Sequence, residues 1–185
     1  LDEVGSLFVP SEGDLAALRE AIELIGTDGL FDGSSKNKLE CALKTCEILD
    51  RRHDCVVANP PYMGGKGQNA ALKTFAKDQY PDCKADLFAM FMERGFELSL
   101  NYGHIAMVTM QSWMFLSSYT ILREKILRET TIENLSHMAN GVMGIAFGTS
   151  ATIFRKCFIK KYIGSYFKVE YDDIDSNSIP YKIPP

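Results

Sequence analysis

The apolar positions of this chain follow two periods. Helical spacing of three and four residues predicts helices over residues 11–26, 37–53, 84–100 and 117–128. Short apolar runs bounded by polar or turn residues predict strands over 4–9, 55–58, 104–110, 131–138 and 149–159. The strands at 55–58 and 104–110 flank the helix at 84–100, so the three predict the βαβ unit of a doubly wound parallel sheet with a right-handed crossover.

One strand is expected to run against the others. Residues 149–156 alternate between apolar and polar side chains, as an antiparallel strand with one wetter face does. The predicted fold class is therefore α/β: a Rossmann-like sheet, mixed through a terminal antiparallel strand, with helices on both faces.

The run at 55–58 leads directly into Asn59-Pro60-Pro61-Tyr62. Four consecutive apolar residues predict a strand that is buried on both faces, at the centre of the sheet. Each proline fixes its own φ and favours an extended residue before it, so the strand stops here. Asn59 and the carbonyl of Pro60 are then held at the strand's carboxyl end, which is where open α/β sheets bind ligands.

These groups suit the capture of a planar amino group. A fixed amide oxygen and a fixed backbone carbonyl can accept the two hydrogens of one NH₂, while Tyr62 offers a face on which a base can stack. A base in a duplex reaches such a pocket only after flipping, at a cost of a few kcal/mol. The alternative is a strand that ends in a Pro-Pro turn, with Tyr62 as an ordinary core or surface aromatic.

Three blocks of sequence resemble one enzyme family. They are residues 57–67 (VANPPYMGGKG), 80–91 (YPDCKADLFAMF) and 107–116 (MVTMQSWMFL). The first contains the Asn-Pro-Pro-Tyr motif of the N6-adenine DNA methyltransferases, which use S-adenosylmethionine. The three together resemble the large adenine-specific methyltransferases of BREX, or phage-growth-limitation, defence, and the similarity extends over residues 50–157. The resemblance implies a class I methyltransferase sheet and methyl transfer to N6 of a flipped adenine in DNA, in restriction-modification or phage defence.

The resemblance also assigns roles to residues. Asn59 and the Pro60 carbonyl would accept the amino hydrogens, Pro61 would stiffen the turn, and Tyr62 would stack on the base. Asp86 and Phe88 would lie near the cofactor, although Asp86 is equally placed to serve as a favourable charge at a helix N-terminus, the reading preferred here. No metal is expected, because the sulfonium of the cofactor is already a strong electrophile.

Three further residues are predicted to contact the substrate. Lys66 belongs to the segment 63–84, which has an excess of two positive charges and is predicted to form a lid with a short helix at 69–77; a mobile surface loop is the alternative. Trp113 is predicted to wall the base pocket, or alternatively to anchor the core. Phe147, in the loop before the reversed strand, is placed to approach the flipped base.

Composition sets limits on the partners. The 185 residues carry 46% hydrophobic and 24% charged residues, which is typical of one globular domain, and no apolar run is long enough for a membrane span. A cytoplasmic location is expected. The five cysteines lack metal-ligand or disulfide spacing and are expected to be free and mostly buried. The net charge of −4 is unfavourable for autonomous DNA binding, so a basic surface is expected elsewhere in a larger protein.

The chain is expected to be part of such a larger protein. It starts without methionine, ends in Ile183-Pro184-Pro185, and has no glycine-rich cofactor turn before residue 50. The predicted division is an N-terminal helical packing segment at 1–53, the catalytic part at 54–160, and an edge strand with a linker at 161–185. Its partners would be double-stranded DNA, the rest of its own polypeptide and other defence proteins. Two rivals remain: a glutamine-N5 protein methyltransferase, which shares the four-residue motif, and a non-catalytic DNA- or protein-binding module.

Overall fold

The computed structural model describes residues 4–28 and 33–181. The chain divides into two compact units, Leu1–Arg52 and His53–Pro185. Residues 182–185, the end of the predicted edge strand and linker at 161–185, lie outside the described residues. The predicted domain boundaries therefore stay a prediction.

In the described part of the N-terminal unit the α-helices are α1 (Glu12–Asp28) and α2 (Gly33–Asp50). The start of α1 is as predicted: the Ser11 hydroxyl and N–H both donate to Asp14 Oδ2, at 2.6 and 2.9 Å, and these bonds lower the pKa of Asp14. The strand predicted at 4–9 is wrong, because Gly5–Leu7 forms a 3₁₀ turn. The second helix begins four residues before the predicted Asn37, since the polar residues ahead of it continue the helix.

The described residues of the second unit form a five-stranded mixed sheet with three α-helices. In chain order its elements are β1 (His53–Ala58), α3 (Ala70–Gln79), α4 (Leu87–Leu98), β2 (Ser99–Met110), α5 (Thr120–Glu129), β3 (Thr131–Met138), β4 (Thr149–Arg155) and β5 (Ser165–Val169). The strand order is β1-β2-β4-β3-β5. The α/β class is confirmed.

The strand pairing confirms the predicted βαβ unit and the reversed strand. β1 lies parallel to β2, with Val57 opposite Ala106, and β4 is antiparallel to both β2 and β3. β4 lies between β2 and β3, so the reversed strand is inside the sheet of this unit and not at its border. β2 begins at Ser99, five residues before the predicted start of this strand at residue 104.

The position predicted for β1 is wrong. β1 has one neighbour among the described residues, β2, and is an edge strand of this sheet. Its Val57 side chain is 75% exposed. An uninterrupted apolar run is compatible with burial on both faces. Whether the strand is buried depends on which other segments pack against it.

Within this unit the helices that pack on the sheet, α4 and α5, lie on one face. The α4 glycine Gly95 permits close packing there: an added Cβ would lie 2.4 Å from Met107 Cε and 3.2 Å from Ile105 Cγ2. Phe96 of α4 contacts Phe154 of β4 edge to face, with ring centroids 5.3 Å apart. The opposite face is covered at one end by Met138, Val142 and Val169.

The remainder of that opposite face forms an open groove of about 440 Å³, lined by Val57, Ala58, Asn59, Ala106, Met107, Val108, Asn134, Ala151, Thr152 and Ile153. Helices were predicted on both faces of the sheet. In the described part of this unit, α4 and α5 form the helical layer on one face.

The segment between the motif and α4 is packed rather than loose. Asn69 caps α3 by accepting a hydrogen bond from Leu72 N at 2.8 Å, and Leu72 and Ala76 are buried. Tyr80 and Cys83 are also buried, and burial raises the pKa values of both. The predicted short helix is confirmed, and the role of the segment as a lid stays a prediction.

Two smaller expectations meet different outcomes. All five cysteines are free, but only Cys46 and Cys83 are buried, while Cys41 and Cys55 are exposed. Among the helices of residues 4–28 and 33–181, none has the length and apolarity needed to cross a bilayer.

Candidate active site

The motif lies where β1 ends. Asn59 is exposed and Pro60 is buried, and both follow Ala58, the last residue of the strand. Within the described part of the chain no group donates a hydrogen bond to the Pro60 carbonyl. Two rigidly placed acceptors, the Asn59 amide oxygen and this carbonyl, therefore stand together at the carboxyl edge of the sheet.

Tyr62 connects the motif to the neighbouring strand. Its hydroxyl lies 3.1 Å from the Val108 carbonyl and 3.3 Å from Asn59 Oδ1, so its one hydrogen is shared between two acceptors. Burial raises the pKa of Tyr62 and keeps the hydroxyl a donor near neutral pH. The ring is half-buried and meets Phe147 edge to face, with centroids 5.6 Å apart. The structure thus brings Tyr62 and Phe147 together, and the predicted contact of each ring with a base stays a prediction.

Asp86 ties the segment after the motif to the start of α4. Its Oδ1 accepts from Met63 N at 2.9 Å and from Phe88 N at 3.3 Å, and Leu87 N donates to Met63 O at 3.1 Å. Burial raises the pKa of Asp86, and the backbone donors offset part of that shift. In this structure Asp86 is the N-cap of α4, at the helix N-terminus where the sequence favoured it as a stabilising charge, and a position near the cofactor stays a prediction.

Phe88 is not placed to touch a ligand. Its side chain is 0% exposed and lies behind Tyr62, with centroids 6.3 Å apart, and beside Tyr119 at 5.5 Å. Tyr119 is itself buried, which together with the nearby Asp86 charge raises its pKa to about 12. The side chain is therefore part of the core, and the predicted position of Phe88 near the cofactor stays a prediction. The ring supports Tyr62 from behind.

Trp113 occupies the position of a core anchor, the alternative that the sequence left open. It is 4% exposed, donates from Nε1 to Ser150 Oγ at 3.0 Å, and packs against Phe154. Lys66 lies at the surface in the turn closed by Gly67 N and Gly64 O, at 2.9 Å. Its ammonium takes part in none of the ion pairs found among residues 4–28 and 33–181.

The sequence analysis assigned no role to two residues at this edge, Gln111 and His137. Gln111 Oε1 is hydrogen-bonded to His137 Nε2, and Gln111 N donates to the Gly148 carbonyl at 3.1 Å. A Cβ on Gly148 would lie 2.4 Å from Gln111 Cδ, so the amide packs directly against the residue after Phe147. Gln111 therefore connects the ends of β2 and β3 to the loop that carries Phe147. Both residues lie at the carboxyl ends of strands, which was the available signal.

No group of three or more histidine, cysteine, aspartate or glutamate side chains in the described residues is arranged to hold a metal ion. The groups that this site offers to a ligand are hydrogen-bond acceptors, aromatic rings and the surface side chain of Lys66.

Solved structures with this fold are distant in sequence. A Listeria monocytogenes protein assigned to the class I S-adenosylmethionine-dependent methyltransferases aligns with 64% of this chain and 37% of its own, at TM-score 0.50 and 12% identity. The Type IIL restriction-modification enzyme MmeI, solved in complex with DNA, aligns with 68% of this chain and 18% of its own, at TM-score 0.52 and 14% identity. These likenesses show the fold.

Two curated relatives are much closer in sequence. The adenine-specific methyltransferase BrxX of Escherichia coli O9:H4 (strain HS) is 40% identical over 94% of this chain. The adenine-specific methyltransferase PglX of Lacticaseibacillus casei (strain Zhang) is 34% identical over 73% of this chain. The matched regions span 15% and 12% of those proteins. The sequence profile of the Eco57I restriction-modification methylases matches residues 16–143, more than half of the chain, and the chain belongs to this family.

Proposed function

We propose that this chain forms the target-base half of an adenine-specific DNA methyltransferase active site, within a longer polypeptide of the kind its relatives have. The reaction would be methyl transfer to N6 of an adenine flipped out of duplex DNA, in phage defence or restriction-modification. The observation that carries the proposal is the pair of acceptors at the end of β1. Asn59 Oδ1 is engaged only by the shared hydroxyl of Tyr62, and the Pro60 carbonyl accepts no hydrogen bond in the described residues.

The acceptors match the two hydrogens of an exocyclic amino group. Hydrogen bonds to both hydrogens draw electron density onto nitrogen and favour the pyramidal geometry in which its lone pair can attack. On base binding, the Tyr62 hydroxyl retains the Val108 carbonyl as an acceptor, so Asn59 Oδ1 is released without leaving a buried donor unpaired. Tyr62 and Phe147 would then flank the base.

S-adenosylmethionine, when bound, would supply the electrophilic methyl group. The residues predicted to hold it do not form a complete cofactor site here: Phe88 is fully buried and the Asp86 carboxylate caps main-chain groups. The described residues thus provide the acceptors and the base contacts, and the main cofactor contacts are proposed to come from other parts of the polypeptide.

Charge at this edge is compatible with DNA despite the net charge of −4. The motif, the turn after β2 and the loop that carries Phe147 lie in residues 55–77, 99–123 and 134–169, and these three segments contain no aspartate or glutamate. The Asp86 carboxylate beside them is 8% exposed and accepts hydrogen bonds from main-chain N–H groups. The acidic residues of the chain lie between them and in the remaining segments. Phosphate groups approaching the motif would therefore meet little like-charge repulsion from the segments that carry it.

The glutamine-N5 rival is disfavoured because both curated relatives are named as adenine-specific enzymes. The non-catalytic rival is addressed by experiment.

The test uses the full-length polypeptide that contains this chain. N6-methyladenine mapping in cells that express it identifies the target site, and a duplex with that site then serves as substrate with labelled S-adenosylmethionine. Asn59→Ala is expected to lower the transfer rate by about 10²–10³-fold, as loss of one fixed hydrogen-bonding group does in other enzymes. Calorimetric binding of S-adenosylmethionine should be retained.

Asn101→Ala is the matched control, because Asn101 is an exposed asparagine near the start of β2, away from the motif. It should leave transfer unchanged. Absence of any transfer by the wild-type protein, with cofactor binding absent as well, would favour the non-catalytic module. Transfer to a glutamine-containing peptide and not to DNA would favour the other rival.

A further inference from the structure

The turn that follows β2 has a rigid backbone. Gln111–Met114 forms a 3₁₀ turn, and Ser112 O accepts from Phe115 N at 3.1 Å and from Leu116 N at 2.9 Å. Arg123 of α5 adds two hydrogen bonds to the turn: its Nη1 donates to the Trp113 carbonyl at 2.8 Å and to the Leu116 carbonyl at 2.6 Å. The buried Trp113 fixes the turn to the core. The backbone conformation of residues 113–116 is therefore set before any ligand binds.

This rigid turn presents two neighbouring apolar side chains to solvent. Phe115 is 63% exposed and Leu116 is 53% exposed. Single exposed apolar residues are common on protein surfaces, but two adjacent ones on a backbone held by four hydrogen bonds form a preorganised contact surface.

The pair is continuous with the candidate active site. The Phe115 ring packs on His137, with centroids 5.9 Å apart, and His137 is hydrogen-bonded to Gln111. Gln111 packs on Gly148, next to Phe147, which contacts Tyr62. This series of direct contacts joins Phe115 to the acceptors of the motif along one edge of the sheet.

We propose that Phe115 and Leu116 form an apolar wedge that contacts the DNA bases next to the flipped adenine. The inference rests on the proposed function and adds a second contact to the same substrate. A flipped nucleotide leaves a gap of two base steps, about 7 Å, in which the neighbouring bases lose a stacking partner. Apolar side chains inserted at such a step replace part of that lost contact.

Duplex DNA is the occupant that the surroundings favour. Phe115 and Leu116 lie in the acid-free segment 99–123, and their neighbours His137 and Phe147 lie in the acid-free segment 134–169. The positive charge of Arg123 lies directly under the turn. A phosphate backbone on either side of the gap would meet no carboxylate from these segments.

The experiment compares two substrates in the full-length polypeptide. One duplex has the target adenine paired with thymine, and the other has it opposite an abasic site, where flipping is already easier. With Phe115→Ala and Leu116→Ala together, kcat/KM on the paired duplex is expected to fall about tenfold, the scale of one lost base contact. On the abasic duplex the fall should be less than about threefold, because flipping no longer needs the wedge.

Three comparisons separate this inference from the proposed function and from general damage. Asn59→Ala should lower transfer on both duplexes alike, since it acts on the amino group. Phe158→Ala, which removes a 60% exposed phenylalanine beyond the end of β4, should change neither. Phe115→Leu with Leu116→Met keeps apolar volume and should restore most of the activity on the paired duplex.

A fluorescent 2-aminopurine at the target position gives an independent reading of base flipping. Its fluorescence increase on binding should shrink in the double alanine variant. Equal losses on the two duplexes would overturn the proposal, because they would indicate a docking contact with another part of the polypeptide. Full activity of the double alanine variant on the paired duplex would overturn it as well.

Discussion

In the His53–Pro185 unit, the edge of the sheet at the carboxyl ends of β1 and β2 and the edge at their amino ends differ in how their polar groups are hydrogen-bonded. At the edge that carries the motif, the Pro60 carbonyl has no donor in the described residues, and Asn59 Oδ1 shares one hydroxyl hydrogen with a neighbour. At the opposite edge, Lys125 Nζ lies 2.7 Å from Glu93 Oε1 and Lys156 Nζ donates to the Ser99 carbonyl at 2.7 Å.

The opposite edge also has a cavity, of about 210 Å³, lined by Phe96, Asn101, Lys125, Ile126, Glu129, Thr130 and Lys156. Burial alone would lower the pKa of Lys125, but its hydrogen bond and charge interaction with Glu93 outweigh burial and raise it. Concavity and charge are thus present at both edges. The edge with the motif differs in its two rigid hydrogen-bond acceptors, the Pro60 carbonyl and Asn59 Oδ1. A substrate can donate hydrogen bonds to both.

Tyr62 provides the strongest test of this difference. Tyr62→Ala removes the aromatic face and should lower kcat/KM for DNA by about 5–150-fold, the range for loss of one stacked base. Tyr62→Phe keeps the ring and should cost less than about fivefold, since it removes one hydroxyl. Equal losses in the two variants, measured in the same methyl-transfer assay, would show that the hydroxyl and not the ring matters.

Gly148 tests whether the Gln111–His137 contact positions Phe147. An added Cβ would lie 2.4–2.5 Å from the end of the Gln111 side chain, which must then move away from His137. Gly148→Ala should lower kcat/KM about tenfold. The free energy of unfolding should fall by only about 1 kcal/mol, because the flexible Gln111 side chain can change rotamer.

A double-mutant cycle makes the Gly148 test specific. In a Gln111→Ala background, Gly148→Ala should have almost no further effect, since the clash is gone. Gly65→Ala is the matched control, because an added Cβ there meets no atom within 4 Å. A tenfold loss that persists without the Gln111 side chain would refute the positioning role.

Asp86 tests how the motif is held against α4. Asp86→Ala removes the acceptor for Met63 N and Phe88 N and should lower the free energy of unfolding by about 1 kcal/mol. Asp86→Asn keeps an acceptor and should lose less. Urea denaturation of the variants measures both values.

The pH dependence of Asp86 has a definite sign. Its pKa in the folded protein is raised above 3.8, so the folded state holds the proton more tightly than the unfolded state. The wild type should therefore lose stability relative to Asp86→Asn as pH rises from about 3.8 through the raised pKa. The opposite slope would mean that the backbone donors outweigh burial.

The smallest effect is expected for Lys125, at the edge of the sheet opposite the motif. Lys125→Met removes the ion pair at the opposite edge and should lower stability by at most about 1 kcal/mol. Methyl transfer should be unchanged. A clear loss of kcat/KM without a loss of stability would show that the paired edge also takes part in function.

Local chemistry accounts for the parts of the structure that sequence predicted well. Two prolines after an apolar run place Asn59 at a strand end whatever surrounds it, and the Asp86 side chain accepts a hydrogen bond from Phe88 N in the first turn of α4. The apolar face of α4 likewise follows from spacing alone. These features depend on residues within a few positions of one another, so one sequence was enough to predict them.

Tertiary structure decided the features that depend on distant partners. Whether Phe88 faced a ligand or the core depended on Tyr62 and Tyr119, and whether β1 was central depended on which strands flank it. Gln111 and His137 are 26 residues apart and meet only because β4 lies between β2 and β3. The sequence by itself determined the motif, its place at a strand end and its chemistry; packing between distant segments decided which side chains surround it.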